Sequence, residues 1–399
     1  MSMASNSFSS AKIAFHPNEH VWLCLTTLLH RRFVEDAIHV IGLPHGSPIR
    51  LRYRRRYIDP SLWNEISARR VDSDAVVLIA LGVTGSDDRN IVSPLREGRV
   101  VSARCEGSVL IIDIQLRSFV YCSAISTSFW DEIQLIAKDL PSAFGTKEGV
   151  EGTYLQALSS PPQAVLAGDD IGTWEAVAEA FFCIDSANAG KSGNASSCTP
   201  FLYHVAQLPG RVGRSLAETG AIEIEAGNSL NLEVHTLAGN KSETFLNPVG
   251  EVLFELSHPA ASFVSSRRVR VDSRRDVRVI SLSSTALFRR VYGHLSVRTV
   301  VFSRGKQLIS DGSLTGEEAR ILSAEGRYET VVARYDFPLR IGRMTPWIAS
   351  AMVATAAALA AYKVPESGHW NIGTLLIPGC TFVLAFIGLA LGLRREGRS

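Results

Sequence analysis

The sequence predicts an α+β to mainly β fold of cytosolic domains, an antiparallel sheet or barrel-like domain plus a β-sandwich, followed by a C-terminal two-helix transmembrane hairpin. Three observations predict it. Two uncharged apolar runs, 344–362 and 371–393, sit near the C-terminus. Short stretches rich in β-branched residues and bounded by turn residues recur through the rest of the chain. No internal repeat stands out, and the helical stretches among them are few and short.

Composition bounds these readings. The chain has 399 residues, 46% of them hydrophobic, with 41 basic and 39 acidic side chains. That length suggests about two or three domains, and the apolar fraction excludes a disordered protein. A net charge of +2 excludes a globally basic nucleic-acid coat, while leaving room for a local basic patch. Six cysteines with no close pairing make no disulfide framework, which points to a reducing compartment. The first twenty residues carry neither a basic start with an apolar core nor a small-residue cleavage site, so no secretory signal is expected.

The runs at 344–362 and 371–393 hold 19 and 23 residues, each enough to cross ~30 Å of hydrocarbon as a helix. The eight residues between them, KVPESGHW, are turn chemistry. Arg334, Arg340 and Arg343 precede the first run and Arg394, Arg395 and Arg398 follow the second, so the expected location is the inner membrane with both termini cytoplasmic. No acid, base or histidine lies within either run, which excludes a proton relay there. Ser350, Ala354 and Ala358 fall four apart, and Gly388 and Gly392 form a GxxxG pair. Such small-residue stripes pack helices closely, either within the hairpin or between copies of a homo-oligomer.

The remainder divides into a domain over 10–150, built on an antiparallel sheet or partly closed barrel, and a sandwich-like domain over 160–336. In the first, 59–68 and 129–140 read as helices and 49–57, 75–84, 99–103 and 108–121 as strands. Punctuation at 145–152 and 159–162 reads as a linker, and 187–200 as a long exposed loop. In the second, seven strands are expected, at 221–226, 229–237, 251–257, 267–271, 277–282, 295–302 and 328–335. The stretch VRV-DSRRD-VRV reads as a hairpin, its arginines neutralised in part by Asp272 and Asp276.

Catalytic motifs are missing. Gly190-Lys191-Ser192 resembles the end of a phosphate-binding loop, but Asp185 occupies the position of its first glycine. There is no HExxH, CxxC pair, GxSxG or GxGxxG. His16 and His20 flank Pro17 and the other histidines are scattered, so no metal site and no cofactor is expected. The expected protein is not an enzyme. One polar feature remains, in IRLRYRRRY. On a strand, Arg50, Arg52, Arg54 and Arg56 would project from one face ~6.7 Å apart. Such a row repels itself unless anions lie among the guanidinium groups, which suit bidentate phosphate contact. Tyr53 and Tyr57 would stack on bases where a bulge or edge turns them outward. The alternative is a solvated face, or pairing with Glu35, Asp36, Asp72 and Asp74.

In its domain plan the chain resembles the two-transmembrane effectors of bacterial nucleotide-signalling antiphage systems, of cyclic-oligonucleotide or Hailong type. The resemblance rests on a β-rich sensor, two apolar helices and no catalytic motif. It implies a nucleotide or short oligonucleotide ligand made by a partner nucleotidyltransferase, a lipid bilayer around the hairpin, and a ligand-controlled oligomeric pore that depolarises the membrane in antiphage defence. The other expectation is a membrane-tethered adaptor whose hairpin is a passive anchor.

Overall fold

The computed structural model describes residues 12–28, 31–68, 75–84, 90–122, 154–159, 161–162, 165–192, 199–207, 216–224, 228–239, 249–285, 290–304 and 327–342. Its first half comprises β1 (Lys12–Ile13), β2 (Val21–Thr26), α1 (Arg31–Gly42), β3 (Pro48–Arg54), a 3-10 turn (Arg55–Tyr57), α2 (Pro60–Ser67), β4 (Val76–Thr84), β5 (Asn90–Glu106), β6 (Val109–Cys122), β7 (Leu155–Ala157) and β8 (Val165–Gly168). These strands form one eight-stranded sheet in the order β1-β8-β6-β5-β4-β2-β7, with β3 also beside β6.

Sequence periodicity explains the pieces. β3 alternates buried Ile49, Leu51 and Tyr53 with exposed arginines, the pattern of a strand with one wet face. β2, VWLCLT, is buried at every position, and its pairing with β4 is parallel rather than antiparallel. α2 begins where Asp59 accepts hydrogen bonds from the amides of Ser61 and Leu62 and Pro60 takes the first helical turn. The sheet then curls back on itself. Ile58, just past the 3-10 turn, bridges Leu155, and the Tyr154 amide donates to the Tyr57 carbonyl at 2.7 Å. The result is barrel-like, and the Tyr53 hydroxyl spans its interior to donate to the Leu25 carbonyl at 3.3 Å. Because β7 and β8 belong to this sheet, the predicted linker at 159–162 lies between two of its strands.

The second half contains α3 (Ile171–Ser192), β9 (Phe201–Gln207), α4 (Leu216–Thr219), β10 (Ile222–Ile224), β11 (Ser229–Ala238), β12 (Gly250–Leu256) and β13 (Ala261–Phe263). β14 (Arg268–Val271), β15 (Arg275–Ser284), β16 (Val291–Arg304) and β17 (Arg327–Ile341) complete it. Two sheets result, β10-β17-β16-β12-β14 and β13-β15-β11-β9. They face each other closely: a Cβ on Gly250 of β12 would overlap the Phe201 ring of β9. The pair β10–β17 is parallel. The predicted hairpin at DSRRD does not form. β14 pairs β12 while β15 pairs β11, so this turn carries the chain from one sheet to the other.

Two helices join the halves. α1 places Gly42 against the Tyr203 ring, where an added Cβ would lie 2.7 Å from Cζ. Its His39 meets Tyr335 of β17 edge-on, with centroids 5.4 Å apart. α3 buries Trp174, Val177, Ala178, Phe181 and Phe182, and is held to the β14–β15 turn by Arg274–Glu179 at 2.9 Å and Arg275–Glu175 at 3.1 Å. It also runs to Ser192, so much of the predicted loop at 187–200 is helical. Beneath α1 lies Arg96, fully buried on β5. Its Nε donates to the Arg117 carbonyl at 2.6 Å, and Nη1 donates to the carbonyls of Val40, at 3.0 Å, and Leu43. Its guanidinium also lies 4.1 Å over the Phe119 ring. A cation thereby satisfies the C-terminal carbonyls of α1, where the helix dipole favours positive charge.

The predicted fold class is corrected by this architecture. The described structure is mainly β with mixed sheets, and the two-helix transmembrane hairpin is not seen in it. Segments 344–362 and 371–393 lie outside the described residues, as does the helix predicted at 129–140. Among the described residues no helix is long and apolar enough to cross a membrane. α3 has 22 residues but carries Glu175, Glu179, Asp185 and Lys191 along its length, and burying such charges in hydrocarbon is costly. The expected inner-membrane location with two spans, and the transmembrane, pore and ion-channel character drawn from it, lose their support with the hairpin.

Candidate anion-binding face

The exposed side of β3 builds the site. Arg50, Arg52 and Arg54 all project outward while Ile49, Leu51 and Tyr53 turn into the core. The strand ends at Arg54, and Arg55, Arg56 and Tyr57 form the 3-10 turn. Arg56 therefore leaves the row, stacks 4.6 Å over the Tyr57 ring and donates to its hydroxyl at 2.6 Å. Arg55 lies 5.5 Å over Trp63 of α2. The turn thus fans the run of arginines across two aromatic platforms instead of one line.

Next to β3 runs β6, with Arg50 opposite Asp113, Arg52 opposite Ile111 and Arg54 opposite Val109. β5 continues the face on the other side. Its register slips between Val100 and Ser102, a bulge that leaves Val101 58% exposed. The slip brings Ser102 beside Asp113 and Arg104 beside Ile111. Asp113 becomes the hub, accepting from Arg50 at 2.6 Å, Ser102 at 2.8 Å and Arg104 at 3.2 Å. Partial burial works against its ionisation, but those hydrogen bonds and the two arginine charges outweigh it and hold the carboxyl below the usual range. Arg104 also pairs with Glu106 at 2.9 Å.

The two remaining cations of the row differ. Arg54 has no ion-pair partner among the described residues and is exposed. Arg52 reaches Asp36 of α1 only through its field. Asp36 itself is unusual: burial raises its pKa to about 7, against the pull of Arg32 and Arg52 and with a push from Glu35. The face therefore carries Arg50, Arg52, Arg54 and Arg104 against Asp113 and Glu106, with Arg55 and Arg56 on the turn at its end. Positive charge is left over after all its internal pairs are made.

Of the predicted site residues, Arg50, Arg52 and Arg54 share a face and Arg56 flanks it. Tyr53 does not join them, because the strand alternation sends it inward to Leu25 and Cys24. Arg104 and Asp113 belong to the face as well: the alternation in SARCE turns Arg104 outward, whereas the apolar run VLII before Asp113 gives no such signal. Ser350, Ala354, Ala358, Gly388 and Gly392 lie outside the described residues. The second arginine cluster is neutralised locally: Glu251 takes Arg270 at 3.1 Å and Arg268 at 3.7 Å, and Asp276 takes Arg278 at 3.0 Å. Among the described residues no group of three or more His, Cys, Asp or Glu could hold a metal ion. No family model and no curated protein matches the chain.

Proposed function

We propose that this protein is a receptor for a phosphate-bearing ligand, a nucleotide or short oligonucleotide, taken up on the arginine face of β3, the 3-10 turn and β5. The single observation that carries the reading is the uncompensated charge: Arg54 stands exposed without an ion partner among the described residues, and Arg52 feels only a carboxyl with a pKa near neutrality. Guanidinium forks match phosphate oxygens bidentately. Tyr57, partly exposed beside Arg56, adds the flat surface that nucleotide recognition uses. The role is one of binding, not bond chemistry. A ligand supplied by a partner nucleotidyltransferase belongs to the same proposal, while the transmembrane pore forms no part of it.

The test is binding of the full-length chain to a labelled single-stranded oligonucleotide and to ATP. Arg52→Ala with Arg54→Ala should weaken binding of at least one of these at least tenfold, since each charged contact is worth on the order of 1 kcal/mol or more. Equal affinity in wild type and double variant overturns the proposal.

A further inference from the structure

A second site lies on the outer surface of the five-stranded sheet, far in sequence from the arginine face. Tyr292 and His294 on β16 stand opposite Arg340 and Pro338 on β17. The turns at Ser257–His258 and Thr219–Ala221 rise beside them and enclose a cleft of about 410 Å³. That volume falls in the range of small-molecule sites. Gly293 makes the wall possible, because a Cβ there would press within 3.1 Å of both His258 and Ser257. Ser257 Oγ then accepts the His294 amide at 2.7 Å and locks the turn to the strand.

The described lining holds one charged side chain, Arg340, two imidazoles and one flat surface. Arg340 donates through Nη1 to Glu223 of β10 at 2.8 Å, and its Cζ lies 5.7 Å from the Tyr292 ring centroid. Its Nε is buried without a hydrogen-bond partner. His258 accepts the Ala260 amide at Nδ1, 3.0 Å away, which leaves Nε2 as the protonated nitrogen and a donor. His294 adds a second imidazole, which the Asp336 carboxylate feels through its field, and among the described residues no carboxylate is part of the lining itself. Tyr292 is 66% exposed, among the most exposed large apolar groups in the described structure. An exposed aromatic over an arginine, with two imidazoles beside it, has unspent capacity for a ring and an anion together.

We infer that this cleft binds a small anion carrying a flat ring, of the nucleoside monophosphate class, with the ring on Tyr292 and the anionic group toward His258, His294 and Arg340. The site uses none of the residues of the arginine face.

Calorimetric titration of the full chain with AMP and with inorganic phosphate tests it. AMP should bind, and bind at least tenfold more tightly than inorganic phosphate. Tyr292→Ala should weaken AMP at least tenfold; this side chain is exposed, so its removal spares the core. His258→Gln should weaken AMP severalfold. These titrations are made in the Arg52→Ala, Arg54→Ala background, where the arginine face no longer takes up nucleotide and the heat reports the cleft alone. Saturable binding that Tyr292→Ala leaves intact in that background overturns the inference. So does the absence of a binding heat at AMP concentrations up to about 5 mM, beyond the weakest affinities expected of a built site, or equal affinity for phosphate and AMP. The arginine-face reading stands or falls separately, on the oligonucleotide and ATP binding of the Arg52/Arg54 variant.

Discussion

Replacing Arg96 with methionine should loosen the junction on which both halves rest. The side chain is fully buried and serves three carbonyls, those of Arg117, Val40 and Leu43. Methionine fills much of the stem volume and offers no donor. Each carbonyl orphaned in the interior costs about 1–3 kcal/mol, and the guanidinium over Phe119 contributes up to about 2 kcal/mol when desolvated. Relief of the buried charge offsets several kcal/mol of that total. The net expectation is a loss of about 3–5 kcal/mol. Urea unfolding followed by far-ultraviolet circular dichroism measures it as a lower midpoint at unchanged m-value. Fraying of the last turn of α1 should accompany it, visible as faster amide exchange near Leu43. A loss below about 1 kcal/mol would refute the reasoning, since it would mean that the three carbonyls need no donor.

Other consequences follow from charge and burial. Asp36 has a folded pKa raised to about 7 by burial, so its stabilising protonated form is fully present below about pH 4 and lost as pH rises through 7. Asp36→Asn should therefore match wild type near pH 4 and gain up to about 4 kcal/mol by pH 8, at ~1.36 kcal/mol per unit; equal stability at pH 8 contradicts this. His39 is shifted the other way, lowered to about 4 by burial. Its contribution is present above about pH 6.5 and disappears as pH falls toward 4. His39→Gln should lack that acid loss of up to about 3 kcal/mol, read as a flatter unfolding midpoint between pH 6.5 and 4. Asp113→Asn removes the carboxylate shared by Arg50 and Arg104. Oligonucleotide affinity should rise about two- to fivefold, from the order of 0.5–1 kcal/mol for an exposed pair, and a fall in affinity would contradict the competition argued here.

The parts of this structure that were legible in the sequence are those governed by local rules. Asp59 followed by Pro60 announced α2, and the alternation from Ile49 to Arg54 announced β3 with its wet face. Elements without a contrast between apolar and polar positions were not legible. β2 is a continuous apolar run, and α3, though it has an outer side, places Ala176 and Cys183 there beside Glu175 and Glu179, so neither shows a clear periodic contrast in sequence. The DSRRD turn was visible as a turn, yet nothing local says that its two strands enter different sheets. Arg56 departs from the row for a related reason, whereas the inward turn of Tyr53 follows from the alternation itself. The strand ends at Arg54 because Ile58 must reach Leu155, a contact made across nearly a hundred residues. The hub at Asp113 depends on a bulge in β5, which no residue type in VVSARC signals.

Salt dependence of oligonucleotide binding by the intact chain bears most directly on the arginine face. If phosphates sit among these guanidinium groups, log affinity falls linearly with log salt, by about 0.7 for each phosphate contacted. Removing Arg52 and Arg54 together should then make that slope shallower by about 1.4. A slope that is flat in wild type, or identical in the double variant, would contradict the account.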